Sequence, residues 1–332
     1  MILSMKPTYD ITPKILKLIN SISISLGEVN ANYLHKQSPQ LRKLNRIKTI
    51  YSTLQIEGNT LTEEQITALI DNKRIIGPKK DVLEVLNTIK VYENLSAYSY
   101  TSKNSFLKAH QLLMNGLIED AGLYRKKGVG IVKGSEIEHI ALPYENVPFL
   151  MNDLFNYLNE KEELALIKSC VFHYEMEFIH PFIDGNGRMG RLWQTLILMK
   201  EYPIFEYLPF ETLISKSQET YYQSLALSDK TGKSTAFIEY MLGLIEKALL
   251  ELLNYNNRIL KTTDRLDYFI SLGIQVFTRK DYMNIFKDLS TATASRDLKK
   301  GVELKLLECS GENNKTNYVV KRLKGMTENN IY

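Results

Sequence analysis

The segment 180–191, which reads His-Pro-Phe-Ile-Asp-Gly-Asn-Gly-Arg-Met-Gly-Arg, constrains the fold of this chain most strongly. Apolar residues with helical spacing precede it, and Pro181 disfavours helical geometry in the residue before it, so we expect a buried helix to end near His180. The glycines tolerate unusual backbone angles, and helical spacing of apolar residues then resumes at once. The sequence therefore predicts two buried helices joined by a tight connection.

The same segment groups side chains that suit phosphate chemistry. His180 can take up a proton near neutral pH, and Asp184 is a hard oxygen ligand for Mg²⁺. Backbone N–H groups at the start of the second helix, backed by Arg188 and Arg191, form a cradle for anions. Each residue alone has an ordinary structural explanation, but in this order they predict a general base, a metal ligand and a phosphate site.

Length and composition indicate a globular protein of more than one domain. The chain has 332 residues, of which 44% are hydrophobic and 24% are charged. A typical domain has roughly 100–200 residues, so we expect two domains, with room for an extra module. The net charge of +4 says little by itself about nucleic acid. Cys170 and Cys309 match no metal or redox spacing and are expected to be reduced thiols.

The sequence predicts neither a secretory leader nor a membrane span. Lys6, Asp10 and Lys14 interrupt any apolar stretch near the first residue. No apolar run approaches the roughly 18–20 residues of a membrane helix. We therefore expect a cytoplasmic protein that has no membrane partner.

Most of the chain has helical periodicity. Gly58 marks a typical helix end, and Thr62 with Gln65 predicts a capping box that opens the next helix. Further helices are expected from about Asp81 and around His110. One buried face of the helix before Gly58 is predicted by apolar residues three and four positions apart: Leu44, Ile47, Tyr51 and Leu54.

A different pattern appears in the stretch 128–141. Glycines punctuate short apolar runs there, and the apolar residues then alternate with a period of two. This pattern is typical of a β-hairpin.

The segment 180–191 resembles the signature of the Fic (Fido) family, His-Pro-Phe-x-Asp/Glu-Gly-Asn-Gly-Arg-x-x-Arg, and matches every fixed position. The resemblance implies a mainly α fold with a Fic-type helical core and a β-hairpin flap. It also implies an N-terminal helical inhibitory region and a C-terminal winged helix domain. The corresponding domains would span 1–100, 101–255 and 262–325.

The resemblance implies a protein adenylyltransferase, which transfers AMP from ATP to a Ser, Thr or Tyr hydroxyl of a target protein. By this analogy His180 deprotonates the hydroxyl, and Asp184 binds Mg²⁺. A Doc-like branch that phosphorylates carries Lys where this chain has Gly187, which favours AMP transfer. The resemblance assigns the phosphates of ATP to the following residues: Gly185, Asn186, Gly187, Arg188 and Arg191.

A second motif of the family is inhibitory and reads Ser/Thr-x-x-x-Glu-Gly/Asn. The segment from Thr53 to Gly58 matches it, with Glu57 as the acidic residue. A carboxylate at that helix end can pair with Arg191 and occupy the site of the γ-phosphate, so that ATP binds unproductively. The resemblance therefore implies an autoinhibited enzyme that is capable of modifying itself.

The predicted hairpin occupies the position of the family's flap, which aligns a target segment by strand addition. The target protein itself is not identifiable from the sequence, and a homodimer is left open. The residues assigned to target docking are Val129, Gly130, Ile131, Val132 and His139.

The last part of the chain resembles a winged helix-turn-helix. Thr278 and Ser290 are predicted to cap two short helices, after a linker in the polar stretch 254–267. Strands are expected at 302–308 and 318–320, where they would form the wing. Basic residues suit DNA phosphates, but acidic residues such as Asp297 dilute the charge, so the partner is either DNA or protein.

Two other functions compete with AMP transfer. The first is a DNA-binding regulator in which the Fic core senses nucleotide. The second is hydrolytic removal of AMP on the same fold, with Glu57 positioning the water.

Overall fold

Helices make up most of the structure, a computed structural model, as the mainly α prediction expects. The structure describes residues 7–32, 39–128, 130–133, 136–140, 142–257, 262–271, 274–286, 289–311 and 316–321. The chain divides into two compact units, Met1–Leu253 and Asn254–Tyr332. The predicted boundaries of three domains stay a prediction. Across the described residues, no helix is both long and apolar enough to cross a membrane.

Among the residues that the structure describes, the first unit contains helices and one hairpin. Its helices are α1 (Pro13–Asn32), α2 (Pro39–Ile56), α3 (Glu63–Ile70), α4 (Lys79–Glu93), α5 (Lys103–Leu113), α6 (Val147–Leu158), α7 (Ala165–Ile179), α8 (Asn186–Glu201), α9 (Glu211–Lys216), α10 (Gln218–Thr231) and α11 (Thr235–Asn257). Short 3₁₀ turns span Leu95–Ala97, Tyr144–Asn146 and Pro203–Glu206.

The packed pair α7 and α8 forms the centre of this unit. Both helices are buried over most of their length, including the side chains of Phe172, Trp193 and Leu196. A helix that is apolar on several faces must be covered by neighbours on several sides. The segment 180–191 therefore connects two helices of the core, and Pro181 and Phe182 at its start are buried.

The predicted helix ends are confirmed in the N-terminal region. Gly58 has a φ of 85°, a left-handed conformation that terminates α2, and Thr62 forms a full capping box with Gln65. Of the predicted buried face of α2, Ile47 and Leu54 are in the core. Leu44 is 46% exposed, so its place on that face was wrong.

The stretch 128–141 forms an antiparallel hairpin of β1 (Gly130–Lys133) and β2 (Glu136–Ile140). Ile131 pairs with His139, and the register shifts between Ile131 and Val132. Val129 lies outside the described residues.

The second unit contains helices and a small sheet around its own core. Its elements are α12 (Thr262–Ser271), β3 (Val276–Thr278), α13 (Arg279–Ile285), α14 (Thr291–Glu303), β4 (Leu307–Ser310) and β5 (Asn317–Val320). The sheet is antiparallel with the order β3–β5–β4. Phe269, Phe277, Tyr282 and Leu298 form the centre of its core.

The caps predicted in this unit are confirmed, because Thr278 accepts from Asp281 N and Ser290 from Thr293 N. One other expectation was wrong. Residues 302 and 303 still belong to α14, so the first predicted strand begins later, at Leu307. The boundary between the two units falls at Asn254, where the polar stretch expected to be a linker begins, and α11 and α12 occupy much of that stretch.

Candidate active site

His180 ends α7 in a strained backbone conformation. Its φ of 50° and ψ of 60° are left-handed, which is uncommon for a residue with a side chain. The backbone N–H of His180 still donates to Met176 O at 3.1 Å. The chain thus turns sharply out of the helix at the predicted position, and Pro181 follows.

The imidazole of His180 has a defined tautomer. Its Nδ1 lies 3.3 Å from the backbone carbonyl oxygen of Glu177. A carbonyl oxygen can only accept a hydrogen bond, so the proton of a neutral ring is assigned to Nδ1. The lone pair is then on Nε2, as a general base requires.

Arg125 fixes the backbone around this turn. Its Nε donates to His180 O at 2.7 Å, and its own backbone N–H donates to Pro181 O at 2.9 Å. Its guanidinium also donates to the carbonyl oxygens of Lys127, at 3.0 Å, and Leu142. One buried side chain therefore ties the strained end of α7 to both chain segments that flank the hairpin.

The connection after Pro181 is braced by His110 on α5. The ring of His110 stacks on Phe182 with centroids 3.5 Å apart, and its Nε2 lies 3.0 Å from Asp184 O. Its Nδ1 accepts from Gly122 N at 2.9 Å. Burial lowers the pKa of His110 to about 4, so the ring stays neutral with its proton on Nε2.

Gly185 and Asn186 shape the start of α8. Gly185 has a φ of 87°, and a Cβ there would lie 2.9 Å from Met114 Sδ, so only glycine fits. The Asn186 side chain is buried and closes on Phe182, accepting from its N–H at 2.9 Å and donating to its carbonyl at 3.0 Å. In this arrangement the Asn186 amide holds the loop in shape.

Arg188 is buried between two carboxylates. Its Nη1 contacts Glu84 on α4, and its Nη2 donates to Asp184 Oδ1 at 2.7 Å. Arg188 does not line the cavity that contains His180. Its guanidinium therefore anchors α8 to α4 and orients the Asp184 carboxylate.

Arg191 receives its partners from the end of α2. Its Nη2 donates to Glu57 Oε1 at 2.6 Å, and its Nε donates to Thr53 Oγ1 at 2.8 Å. Burial disfavours the charged guanidinium, but the Glu57 charge outweighs this effect and raises the pKa of Arg191. The predicted pairing of Glu57 with Arg191 is thus present as a short, largely buried ion pair.

Glu57 also covers Gly187 in the first turn of α8. A Cβ at Gly187 would lie 2.6 Å from Glu57 Oε1 and 3.0 Å from Arg191 Nη1. The backbone of α8 therefore approaches the ion pair as closely as glycine permits. A ligand that is to contact both Gly187 and Arg191 must displace the Glu57 carboxylate.

Several predicted residues meet in one cavity of the first unit. It is lined by His180, Asp184, Arg191 and Glu57. An apolar side of the cavity comes from α7 and α10 and includes Phe178 and Tyr222. The lining residues are Glu57, Glu177, Phe178, His180, Ile183, Asp184, Gly185, Asn186, Gly187, Arg191, Tyr221, Tyr222, Leu225, Ala226 and Asp229.

The donor set of the cavity fits Mg²⁺ held together with phosphate. The Asp184 carboxylate lines the cavity and is 44% exposed. Mg²⁺ is usually bound by one or two carboxylates and completed by substrate phosphates and water. Within the described ranges, no group of three or more His, Cys, Asp or Glu side chains is placed to hold a metal ion.

The site also depends on residues that the motif did not indicate, namely Glu84, His110, Arg125 and Glu177. They lie on α4, on α5, before the hairpin and on α7, and all of them act through tertiary contacts. No local sequence pattern assigns a role to Arg125, whose bonds to His180 O and Pro181 become visible only in the folded chain.

Comparison with known proteins agrees with this geometry. Residues 100–198 match the Fic/DOC family model. A crystal structure of a Fic family protein from Desulfovibrio desulfuricans G20 is 38% identical, with a TM-score of 0.76. The match covers 96% of this chain and 99% of that one. The chain belongs to the Fic family.

More distant relatives include proteins named protein adenylyltransferase. The fic-1 protein of Caenorhabditis elegans is 28% identical over 247 residues, which cover 69% of this chain and 46% of that protein. The Fic protein of Nematostella vectensis is 29% identical over 46% of this chain and 37% of its own length. The chain thus spans less than half the length of these two curated relatives. A structure of the C. elegans protein, 22% identical with a TM-score of 0.61, shares the fold.

Proposed function

We propose that this Fic protein is a protein adenylyltransferase that is held inactive by Glu57. The observation that carries the proposal is the single cavity that joins His180, Asp184 and the start of α8 with Arg191. Relatives named protein adenylyltransferase support the same activity.

The reaction uses His180 as the general base. Its Nε2 takes the proton from a Ser, Thr or Tyr hydroxyl of the target while the hydroxyl oxygen attacks the α-phosphorus of ATP. The bond between the α-phosphorus and the bridging oxygen breaks, and pyrophosphate leaves. The Nδ1 contact with Glu177 O keeps the ring oriented during this proton transfer.

The start of α8 positions the phosphates. The first N–H groups of a helix have no partner within the helix and carry partial positive charge, so they favour an anion. Gly185 and Gly187 allow close approach, Asn186 holds the loop, and Arg191 supplies a full charge. Asp184 would hold Mg²⁺, which supplies further charge for the phosphate oxygens. Arg188 acts on the phosphates through the Asp184 carboxylate that it orients.

The ion pair between Glu57 and Arg191 is the autoinhibitory contact, or brake, of this enzyme. Arg191 can steady the terminal phosphates only when its guanidinium is free of Glu57. While the pair is closed, ATP can bind only with its phosphates displaced from the productive position. Two neighbouring residues set the position of Glu57. Thr53 accepts a hydrogen bond from Arg191, and Gly58 ends α2.

The hairpin of β1 and β2 is proposed to hold the target segment by strand addition, with Val129, Gly130, Ile131, Val132 and His139 at the docking edge. An edge strand offers main-chain hydrogen bonds to any extended peptide. This mode suits an enzyme that modifies a flexible loop, including a loop of its own chain.

Transfer of label from ATP to protein tests the proposal. With ATP labelled at the α-phosphate, Glu57→Gly should raise automodification at least tenfold over wild type, because Arg191 becomes available. The double variant Glu57→Gly, His180→Ala should return to background. Absence of any gain from Glu57→Gly would refute inhibition by Glu57. Undiminished transfer without His180 would refute its role as the general base.

The competing function is a nucleotide-sensing DNA-binding regulator, and the fold of the second unit favours it. Its helices α13 and α14, followed by the strands β4 and β5, support a winged helix-turn-helix. On α14, Arg296, Lys299 and Lys300 are exposed, while Asp297 is buried against Arg265. The exposed side of this helix is therefore more basic than its sequence suggests.

DNA binding through this unit should depend on salt and on these side chains. The slope of log affinity against log salt should fall by about two when Lys299 and Lys300 are both changed to Gln, since each phosphate contact contributes about one. Fluorescence anisotropy with duplex DNA measures this slope. An affinity that is unchanged in the variant would exclude α14 as the DNA-contacting helix.

A further inference from the structure

Glu177 is a buried acid in the cavity that the proposed reaction does not use through its side chain. It lies on the last turn of α7, three residues before His180, and its side chain is only 15% exposed. A buried carboxylate is costly unless other groups stabilise its charge. The structure shows how this charge is stabilised.

A chain of buried polar groups ends at the Glu177 carboxylate. Tyr221 donates its hydroxyl proton to Glu177 Oε1 at 3.1 Å. His173 Nε2 lies 3.0 Å from the Tyr221 hydroxyl and 3.8 Å from Glu177 Oε1, and its Nδ1 contacts Gln194. The Tyr221 hydroxyl therefore lies between the Glu177 carboxylate and the His173 ring.

The charges around Glu177 favour its ionised form. Burial alone raises the pKa of Glu177, but nearby His173, His180 and Arg191 outweigh burial and lower it below its usual range. Glu177 therefore carries a negative charge at neutral pH. The same interaction with His180 must, by reciprocity, favour the protonated form of the imidazole.

Glu177 and Glu57 face the same small volume above Gly187. A Cβ on this glycine would lie 3.2 Å from Glu177 Oε1, 2.6 Å from Glu57 Oε1 and 3.0 Å from Arg191 Nη1. Two carboxylates thus surround one guanidinium. If Glu57 leaves, as the proposed activation requires, Glu177 is the carboxylate that remains beside Arg191 and His180.

We propose that Glu177 is the positioning residue of the general base: its carbonyl oxygen orients His180, and its carboxylate stabilises the imidazolium that forms when His180 accepts the hydroxyl proton. This inference rests on the proposed function of His180. A buried carboxylate plays the same part toward the imidazolium of serine proteases, where it holds the ring and does not itself take the proton.

The groups that face Glu177 come from every neighbouring element. His173 and His180 belong to α7 and its end, Tyr221 lies on α10, Arg191 on α8, and Glu57 follows α2. Burial keeps Tyr221 neutral by raising its pKa well above the ordinary value. Arg191 opposes protonation of His180, so removal of the Glu177 charge leaves that opposition unbalanced.

The test is an NMR titration of the His180 ring in the full chain. The chain has five histidines, and loss of one resonance in His180→Ala assigns the signal. In the Glu57→Gly background, Glu177→Gln should move the titration midpoint of His180 down by about one pH unit, as expected when a neighbouring negative charge is removed. Glu177→Asp keeps the charge and should leave the midpoint near that of the Glu57→Gly parent.

Glu175→Gln is the control for a Glu-to-Gln change on the same helix, since Glu175 is half-buried and has Asp229 as its charged neighbour. It should not move the His180 midpoint. An unchanged midpoint in Glu177→Gln would overturn the proposal. So would an equal shift in Glu177→Asp, because the charge would then not be its cause.

Kinetics connect the titration to the reaction. In the Glu57→Gly background, Glu177→Gln should lower kcat about tenfold and move the acidic limb of the kcat/KM profile downward, with KM for ATP changed less than about twofold. A normal kcat together with a shifted His180 titration midpoint would refute a contribution of the Glu177 charge to catalysis. Failure of the Glu57→Gly parent to transfer AMP would instead refute the proposed function, while the NMR result would still report on the charge.

Discussion

His110 shows at the scale of one residue how a neutral imidazole supports the site. Both of its ring nitrogens are used by backbone groups, one at Gly122 N and the other at Asp184 O. Protonation would place a second proton on Nδ1, where a backbone N–H already points. The ring can therefore be charged only by breaking the contact with Gly122.

The pH dependence of stability follows from this arrangement. The pKa of His110 is lowered by burial from about 6.5 in the unfolded chain to about 4. The unfolded chain binds more protons between these values, so this contribution is complete above pH 6.5 and is lost as the pH falls toward 4. Between pH 7 and pH 5, wild type should lose about 2 kcal/mol of unfolding free energy through His110.

Urea denaturation at several pH values measures this contribution. His110→Gln keeps a side-chain donor but does not titrate, so its unfolding free energy should fall by about 2 kcal/mol less over the same interval. Parallel pH profiles for the two proteins would show that His110 is not held neutral.

At the scale of elements, the proposed inhibition by Glu57 would depend on how firmly the end of α2 is held. Gln218, at the start of α10, donates from Nε2 to Ile56 O at 2.9 Å, directly before Glu57. Gln55 accepts from Ser215 on α9 at 2.8 Å. These contacts fix the end of α2 without involving the residues that are proposed to bind phosphate.

Loss of one such contact should loosen the brake. Gln218→Ala should raise basal automodification a few-fold, because a lost hydrogen bond of about 1 kcal/mol corresponds to roughly a fivefold change in the open population. The increase should disappear in the Glu57→Gly background, where no brake remains. Gln223→Ala, an exposed position on the same helix, is the control. An equal increase in the control would show that the effect does not depend on the contact between Gln218 and the end of α2.

Local elements of this fold could be predicted from the sequence, whereas long-range contacts could not. The turn at His180, the cap at Thr62 and the hairpin were predictable, because neighbouring residues determine turns and caps. The pairing of Glu57 with Arg191 was expected only through the family motif. The spacing of residues along the sequence cannot by itself predict a contact between two residues that are 134 positions apart.

Tertiary packing decided the remaining parts. Arg125 and Glu84 hold the site from segments far away in sequence, and the sequence assigns no chemistry to either side chain. Asp297 was expected to dilute the surface charge, whereas Arg265 and Tyr282 bury it in the core of the second unit. Leu44 has the spacing of a core residue but stays partly exposed to solvent.

At the scale of the whole molecule, the first unit places the proposed inhibitory residue and the proposed catalytic residues on one cavity. Glu57 comes from the end of α2, the proposed base His180 from the end of α7, and the proposed phosphate-binding backbone from the start of α8. We therefore expect this cavity to transfer AMP and the displacement of Glu57 to release that activity.

The most direct test compares the fate of two labels in the Glu57→Gly protein. ATP labelled at the α-phosphate should label protein, and ATP labelled at the γ-phosphate should not, because pyrophosphate leaves. Both labels should be absent from protein when His180→Ala is added. Transfer of the γ-label, or no transfer of either label by the Glu57→Gly protein, would contradict AMP transfer by this cavity.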